Sequence, residues 1–217
     1  MNKDTRILVI DDHPIVRDGL EHLLRRESDL LICGQAEDAE AGLIALEETS
    51  PDLVVLDISL QDGISGLELT KFITEKYPEL PILVLSMHDE ALYAERVIRS
   101  GARGYIMKQE MTGTIVDAIR MVMEGRVYLS ERMKARLIDE KIHQNTKRVQ
   151  NPVERLSNRE LEVLRLIGQG IKTSEIAKKL QVATKTIDTH RYRLKNKLNL
   201  ESGAELVKFA VEWNNNN

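Results

Sequence analysis

The stretch ILVIDDHP ends four consecutive apolar residues, Ile7 to Ile10, with two adjacent carboxylates, Asp11 and Asp12. Three more polar groups stand at matching points further along: Asp57 closes the run DLVVL, Ser86 ends ILVLS, and Lys108 follows GYIM. Taken singly, each has an ordinary explanation. Asp11 is the kind of residue that caps a helix, Lys108 reads as a solvated lysine, and Ser86 as a strand-end hydroxyl. Brought together they would do chemistry. Three carboxylates in one place repel one another and take up protons unless a cation neutralises them. A hard divalent ion with oxygen ligands is the natural partner, and Mg²⁺ takes few carboxylates and keeps waters, which leaves coordination room for a phosphoryl group.

Placing those residues together is the work of the surrounding pattern. Short apolar runs at 7–10, 30–36, 52–56, 82–86 and 104–107 read as strands. Several are apolar on both faces, as strands covered by helices on both sides are. Helical periodicity fills the intervals at 14–26, 38–48, 66–77, 90–100 and 112–124. In the first of these, Ile15, Leu20, Leu23 and Leu24 form the apolar stripe while Arg17, Asp18 and Arg25 face away. Five alternations of strand and helix predict an α/β fold with a doubly wound, five-stranded parallel sheet. In such a sheet functional groups gather at the carboxyl ends of the strands, where Asp11, Asp12, Asp57, Ser86 and Lys108 fall.

The pattern changes after Gly125. The boundaries expected are a first domain over 1–125, a linker over 126–152 with a helix in SERMKARLIDEKIHQ and the polar run HQNTKRVQNP, and a second domain over 153–217. From Leu156 only helical periodicity follows, predicting a small all-α unit of four helices. Ser157 and Glu160 have capping-box spacing, and Asn214 to Asn217 read as a frayed tail. Charge divides along the same line. Residues 152–217 carry twelve lysines and arginines against eight acids, whereas the whole chain has net charge −4. The second domain therefore has the sign that polyanions favour. The lone Cys33, inside LLICGQA, is expected to be a small buried thiol, which removes disulfide and cysteine-zinc chemistry. No apolar run approaches the roughly 18 residues of a membrane span, and MNKDTR lacks a secretory apolar stretch. A cytoplasmic protein without membrane partners is expected.

The acidic pair Asp11-Asp12, Asp57, Ser86 and Lys108, each at its own strand end, resemble the reacting residues of two-component receiver domains, which have a flavodoxin-like fold. The resemblance implies that Asp57 is the phosphoacceptor. It implies that Asp12, Asp57 and the backbone carbonyl of Ser59 hold Mg²⁺, with Asp11 acting partly through water. Lys108 and Ser86 would then contact the phosphoryl group, Tyr105 would couple to movement of Ser86, and Ser59 and His88 would tune dephosphorylation. Two departures stand out. Gln109 follows the lysine where many receivers have proline, and the loop between Asp57 and Gly66 is one residue longer than usual, with Gln61 where proline is common.

In the basic second domain, TSEIAKKL, the turn QVA and KTIDTHRYRLKNKL make two helices joined by a tight turn. The first buries Ile176, Ala177 and Leu180, and the second buries Ile187, Leu194 and Leu198 while its other face is cationic, as a helix-turn-helix reader requires. With LSNRELEVLRLIGQG ahead of it, the string resembles the LuxR-type DNA-binding domain, and the whole chain resembles the NarL/FixJ family of response regulators. By that likeness Asp188, Thr189 and Tyr192 read base edges, while Lys185, His190, Arg191 and Lys195 contact phosphates, which position the protein without specifying sequence. Ala183 stands where the family often has serine, so Thr184 is a rival cap, shifting the helix start by one residue.

The resemblance implies a transcription factor, not an enzyme beyond phosphorylation and dephosphorylation of its own Asp57. Its partners would be a sensor histidine kinase, double-stranded promoter DNA, a second copy of itself on phosphorylation, and RNA polymerase. Two rival functions stay open at this level. One is a degenerate receiver with phosphorylation-independent DNA binding. The other is an Asp-nucleophile phosphatase, disfavoured because such enzymes usually carry a second aspartate where this chain has Ser59.

Overall fold

The computed structural model describes residues 4–60, 64–88, 90–142 and 152–215. These fall into two compact units, Met1–Gln144 and Asn145–Asn217. In the first, strands β1 (Thr5–Ile10), β2 (Leu30–Ala36), β3 (Leu53–Asp57), β4 (Ile82–Ser86) and β5 (Gly104–Met107) form one sheet in the order β2-β1-β3-β4-β5. Every pairing is parallel. Helices α1 (Pro14–Leu24), α2 (Ala39–Thr49), α3 (Gly66–Lys76), α4 (Glu90–Arg99) and α5 (Met111–Met123) alternate with the strands. Every residue of β3 and β4 is buried, whereas edge strand β2 leaves Leu31 exposed. One core cluster joins Ile7, Val9, Val55 and Leu85 to Leu20 and Leu24 of α1 and Ile115 and Ile119 of α5.

Local chemistry starts each helix close to a strand end. Pro14 is the first residue of α1, where its fixed φ suits a helix and its missing N–H is no loss. Asp38 caps α2, and Ser65 with Glu68 forms a capping box on α3. Gly66 opens α3 so close to β3 that a β-carbon would lie 2.2 Å from the Asp57 carbonyl oxygen and 2.4 Å from Cα of Ile58. Only glycine fits there. The loop after Asp57 is thus pinned by backbone contact, Gly66 N–H donating to the Ile58 carbonyl at 3.2 Å.

Several sequence expectations change. Ile15 is 81% exposed and the inward stripe of α1 is carried by Val16 with Leu20, Leu23 and Leu24, because Ile15 falls one residue off the i, i+4 spacing. Cys33 is half-buried rather than buried, since β2 is a sheet edge. Residues beyond 125 pack on the first unit instead of merely linking. Tyr128 forms an isolated parallel bridge with Gly104, its carbonyl accepting from Tyr105 N–H and its N–H donating to the Arg103 carbonyl. Ser130, just ahead of α6 (Glu131–Ile142), donates from both its backbone N–H and its hydroxyl to the Glu90 carboxylate of α4, while Leu129 and Met133 are buried. Most of the polar run HQNTKRVQNP, and part of the loop after Asp57 including Gln61, lie outside the described residues.

The second unit has the four expected helices: α7 (Asn158–Gly168), α8 (Thr173–Lys179), α9 (Thr184–Leu198) and α10 (Gly203–Asn215). Ser157 and Glu160 form the capping box, and Ile176, Ala177, Ile187, Leu194 and Leu198 are buried as expected. Ala183 itself is the cap residue of α9, without a side-chain hydrogen bond, and Thr184 is the first helical residue instead of the cap. The expected frayed tail is partly helix: Asn214 donates from Nδ2 to the Arg165 carbonyl at 2.9 Å, closing α10 onto α7. Among the described residues no helix is long and apolar enough to cross a membrane.

Candidate functional site

The parallel sheet brings Asp11, Asp57, Ser86 and Lys108 to one edge and buries all four. Lys108 Nζ lies 2.7 Å from Oδ2 of Asp11 and 2.7 Å from Oδ2 of Asp57, so one ammonium bridges two carboxylates. Burial pushes the Asp57 carboxyl above the ordinary carboxylate range, and neighbouring Asp11 adds to this, while Lys108 and the Ser59 N–H pull against it. Burial opposes charge on Lys108 too, yet its two carboxylate partners outweigh that and hold its pKa above the usual lysine value. The backbone is pinned as well as the side chains. Ser59 N–H donates to Asp57 Oδ1 at 2.9 Å, and Arg17, expected to face away, reaches back to donate to the Asp11 carbonyl at 2.5 Å.

Asp12 is the odd member. Its side chain is only 9% exposed, yet neither carboxylate oxygen has a hydrogen-bond partner among the described residues. A shielded carboxylate with no donor is costly unless a cation meets it. That is the observation on which a divalent metal fits: Asp11, Asp12 and Asp57 point ligand atoms into one space, together with a residue the sequence reading passed over, His13. His13 Nδ1 lies 2.6 Å from Asp12 Oδ1, 3.2 Å from Asp11 Oδ1 and 3.9 Å from Asp57 Oδ2. The signal available in sequence was only its adjacency to the acidic pair.

The remaining predicted residues connect through Ser86 at the end of β4. Ser86 Oγ accepts from the His88 N–H at 3.0 Å, and Tyr105, 1% exposed, donates its hydroxyl to the His88 carbonyl at 2.8 Å. The His88 ring stacks on Tyr93 with centroids 4.8 Å apart and shares a hydrogen bond of 2.9 Å with the Ser59 hydroxyl. Ser59, Ser86, His88 and Tyr105 are therefore one connected group beside Asp57, joined through the end of β4.

In the second unit the outer face of α9 presents Lys185, Asp188, Thr189 and Tyr192 to solvent, Tyr192 at 61% exposure. Arg191 and Lys195 flank that face half-buried, and the Thr189 hydroxyl donates to the Lys185 carbonyl at 3.0 Å. His190 differs from expectation. Its ring turns inward with Nδ1 shielded and without a hydrogen-bond partner, and burial, then Arg159 and Arg193, lowers its pKa. It sits as a half-buried packing residue and is poorly placed for a phosphate contact.

Lys197 is also committed elsewhere, its Nζ lying 2.6 Å from Glu160 and tying α9 to the cap of α7. Burial works against charge on Glu160, but Lys197 and the Ser157 cap prevail and its pKa is lowered. A depressed carboxylate stabilises the fold above its unfolded pKa and loses that contribution as pH falls through its folded value. Glu160→Gln is therefore expected to lower the unfolding free energy of the chain by about 1–2 kcal/mol at neutral pH, reduced by the partial exposure of Lys197. The wild-type advantage should shrink in denaturation curves taken below about pH 4.

The family described as response regulator receiver domain matches residues 7–120, and the family of bacterial regulatory proteins, luxR family, matches residues 154–210. The chain is 36% identical over 210 residues to oxygen regulatory protein NreC of Staphylococcus carnosus, covering 95% of this chain and 97% of that one. It is similar in fold to the RcsB response regulator of Salmonella typhimurium, with 27% identity, 97% of this chain and 98% of that chain covered, and a TM-score of 0.74. It is similar, too, to RcsB from Salmonella enterica serovar Typhimurium bound to promoter rprA in the presence of the phosphomimetic BeF3-, at 26% identity, 96% and 99% coverage and a TM-score of 0.68. Sheet order, strand-end carboxylates, helix-turn-helix and these matches agree: the chain belongs to the NarL family of two-component, DNA-binding response regulators.

Proposed function

We propose that the chain switches promoter binding through phosphorylation of Asp57 by a sensor histidine kinase. The observation that carries this is the buried Asp11–Lys108–Asp57 bridge beside the unpartnered Asp12 carboxylate. An Asp57 oxygen attacks the phosphorus of a phosphohistidine; the P–O bond forms as the P–N bond breaks, and the electron pair leaves with the imidazole. Asp11, Asp12, Asp57 and the Ser59 carbonyl would hold Mg²⁺, which when bound offsets negative charge on the transferring oxygens. Lys108 adds its own positive charge to the same task, and its bridge to Asp11 keeps it aimed at Asp57.

Ser86 donates its hydroxyl to the new phosphoryl group and moves toward it. Its bond from the His88 N–H and the Tyr105–His88 bond then rearrange together, altering the surface at α4. Ser59 and His88, joined over the acceptor, govern access of water and hence the phosphoryl lifetime. The altered surface favours a homodimer, the state in which RcsB has been solved on DNA, and two copies of α9 then meet paired half-sites. Lys185, Arg191 and Lys195 hold phosphates while Asp188, Thr189 and Tyr192 meet base edges. RNA polymerase at the promoter is the downstream partner.

The test is binding to promoter fragments captured with the phosphorylated protein, measured at fixed salt for wild type and Asp57→Ala with and without acetyl phosphate. A coupling of about 1–3 kcal/mol, or 5- to 150-fold tighter binding by phosphorylated wild type, is expected, with no change in the variant. Equal affinity in all four measurements would establish phosphorylation-independent binding instead.

A further inference from the structure

We infer that His13 makes the strand-end metal site a mixed nitrogen and oxygen site, in which Nδ1 of His13 and Oδ1 of Asp12 together ligate a first-row transition ion such as Co²⁺, Mn²⁺ or Zn²⁺. The inference rests on the acidic site proposed above and extends it to the class of ion it selects.

Three observations support it. His13 Nδ1, Asp12 Oδ1, and oxygens of Asp11 and Asp57 all lie within 4.8 Å of one another, a cluster that could close on one ion. Two ligands adjacent around an ion with bonds of about 2.1 Å are themselves about 3 Å apart, and Asp12 Oδ1 and His13 Nδ1 are 2.6 Å apart. That contact is not a hydrogen bond, for both oxygens of Asp12 are without a partner despite 91% burial of the side chain. Nδ1 of His13, which also lies 3.2 Å from Asp11 Oδ1, and Oδ1 of Asp12 thus face the same space.

The other cation in the site holds the two carboxylates more closely than it holds His13. Lys108 sits on the side of Asp11 and Asp57 at 2.7 Å from each, and is 3.5 Å from His13 Nδ1. The His13 side chain is 46% exposed, so an ion entering from solvent meets the imidazole and Asp12 first. Backbone geometry helps hold the residue in place: His13 N–H donates to Asp11 Oδ1 at 2.9 Å, and Pro14 follows it as the first residue of α1. Mg²⁺ prefers oxygen ligands and gains little from an imidazole, whereas transition ions gain a strong ligand. His13 therefore acts on ion selectivity rather than on whether a divalent ion binds.

The experiment is isothermal titration of the full-length chain with Mg²⁺ and with Co²⁺, for wild type, His13→Ala, His13→Gln and Asp12→Asn, with circular dichroism confirming the fold. Co²⁺ binding should weaken at least about tenfold in both His13 variants, and by clearly more than Mg²⁺ binding does. Proton NMR of the Co²⁺-loaded wild type should show one hyperfine-shifted, solvent-exchangeable imidazole N–H, from Nε2, which both His13 variants lack. Equal losses for the two ions, or persistence of the shifted N–H in the variants, overturns the ligand assignment while leaving the acidic site standing. Absence of any Mg²⁺ binding by wild type, or its survival unchanged in Asp12→Asn, refutes the underlying site and the inference with it.

Discussion

Asp57→Ala is expected to abolish Mg²⁺-dependent labelling of the chain by a small phosphodonor, from near one phosphoryl group per chain to none detectable. Asp57 is the proposed acceptor: it closes β3 in a buried position, with a lysine 2.7 Å from one oxygen and the Ser59 N–H on the other. Asp11 shares the lysine and takes the His13 N–H on its Oδ1, but lies beyond the end of β1, whereas Asp57 is the last residue of β3. Asp12 is unpartnered and suits a cation better than a nucleophile. The same substitution should leave the fold intact. In the metal-free protein burial already disfavours the Asp57 charge, and Lys108 retains Asp11 after the change. Loss of label with an unchanged or higher thermal midpoint is thus the expected pair of results, the second because a strained like charge is removed. Stoichiometric labelling of the variant would move the acceptor elsewhere in the site.

Much of this site is legible in the sequence because a parallel sheet converts spacing along the chain into proximity. Once five strands are recognised, their final residues must share an edge, so Asp11, Asp57, Ser86 and Lys108 meet whatever the details of the helices. His13 escapes that logic. It follows the strand rather than ending it, and whether its ring turns into the site or away is set by a side-chain torsion that residue order does not encode. Tyr128 escapes for a related reason: one residue pairing with β5 has no periodicity to detect, and GRVYLSE reads as a turn.

His190 is the opposite case, where the signal was present and overridden. It stands three residues after Ile187 and four before Leu194, both fully buried, so helical spacing puts it on the inward stripe of α9. Its basic neighbours along the chain, Arg191 and Arg193 among them, are what suggest a phosphate contact in the sequence. The pull of Lys197 toward Glu160 is of the same kind, a cation on a basic helix that is used to hold α9 against α7. Charge along a recognition helix therefore divides into groups that face outward and groups that fasten the helix, and only packing separates them.

That division sets the second large expectation. Lys185, Arg191 and Lys195 are the cations of α9 proposed for phosphate contact, and no ion pair with an acidic side chain ties them down among the described residues. Each phosphate neutralised on B-DNA contributes about 0.9 to the slope of log affinity against log salt. Replacing all three by alanine should flatten that slope by about 2.7. Binding at physiological salt should weaken by about 1–2 kcal/mol per site, more than about a hundredfold for the triple variant. The loss should be nearly the same on specific and random DNA, because phosphate contacts carry no sequence information. His190→Ala, by contrast, should leave the slope unchanged, since its ring is turned inward and its pKa is lowered. Asp188→Ala should change base preference at one position without flattening the slope. Fluorescence anisotropy over a range of potassium chloride concentrations measures all of these. A triple variant with an unaltered slope would place the phosphate contacts on a different face of the second unit.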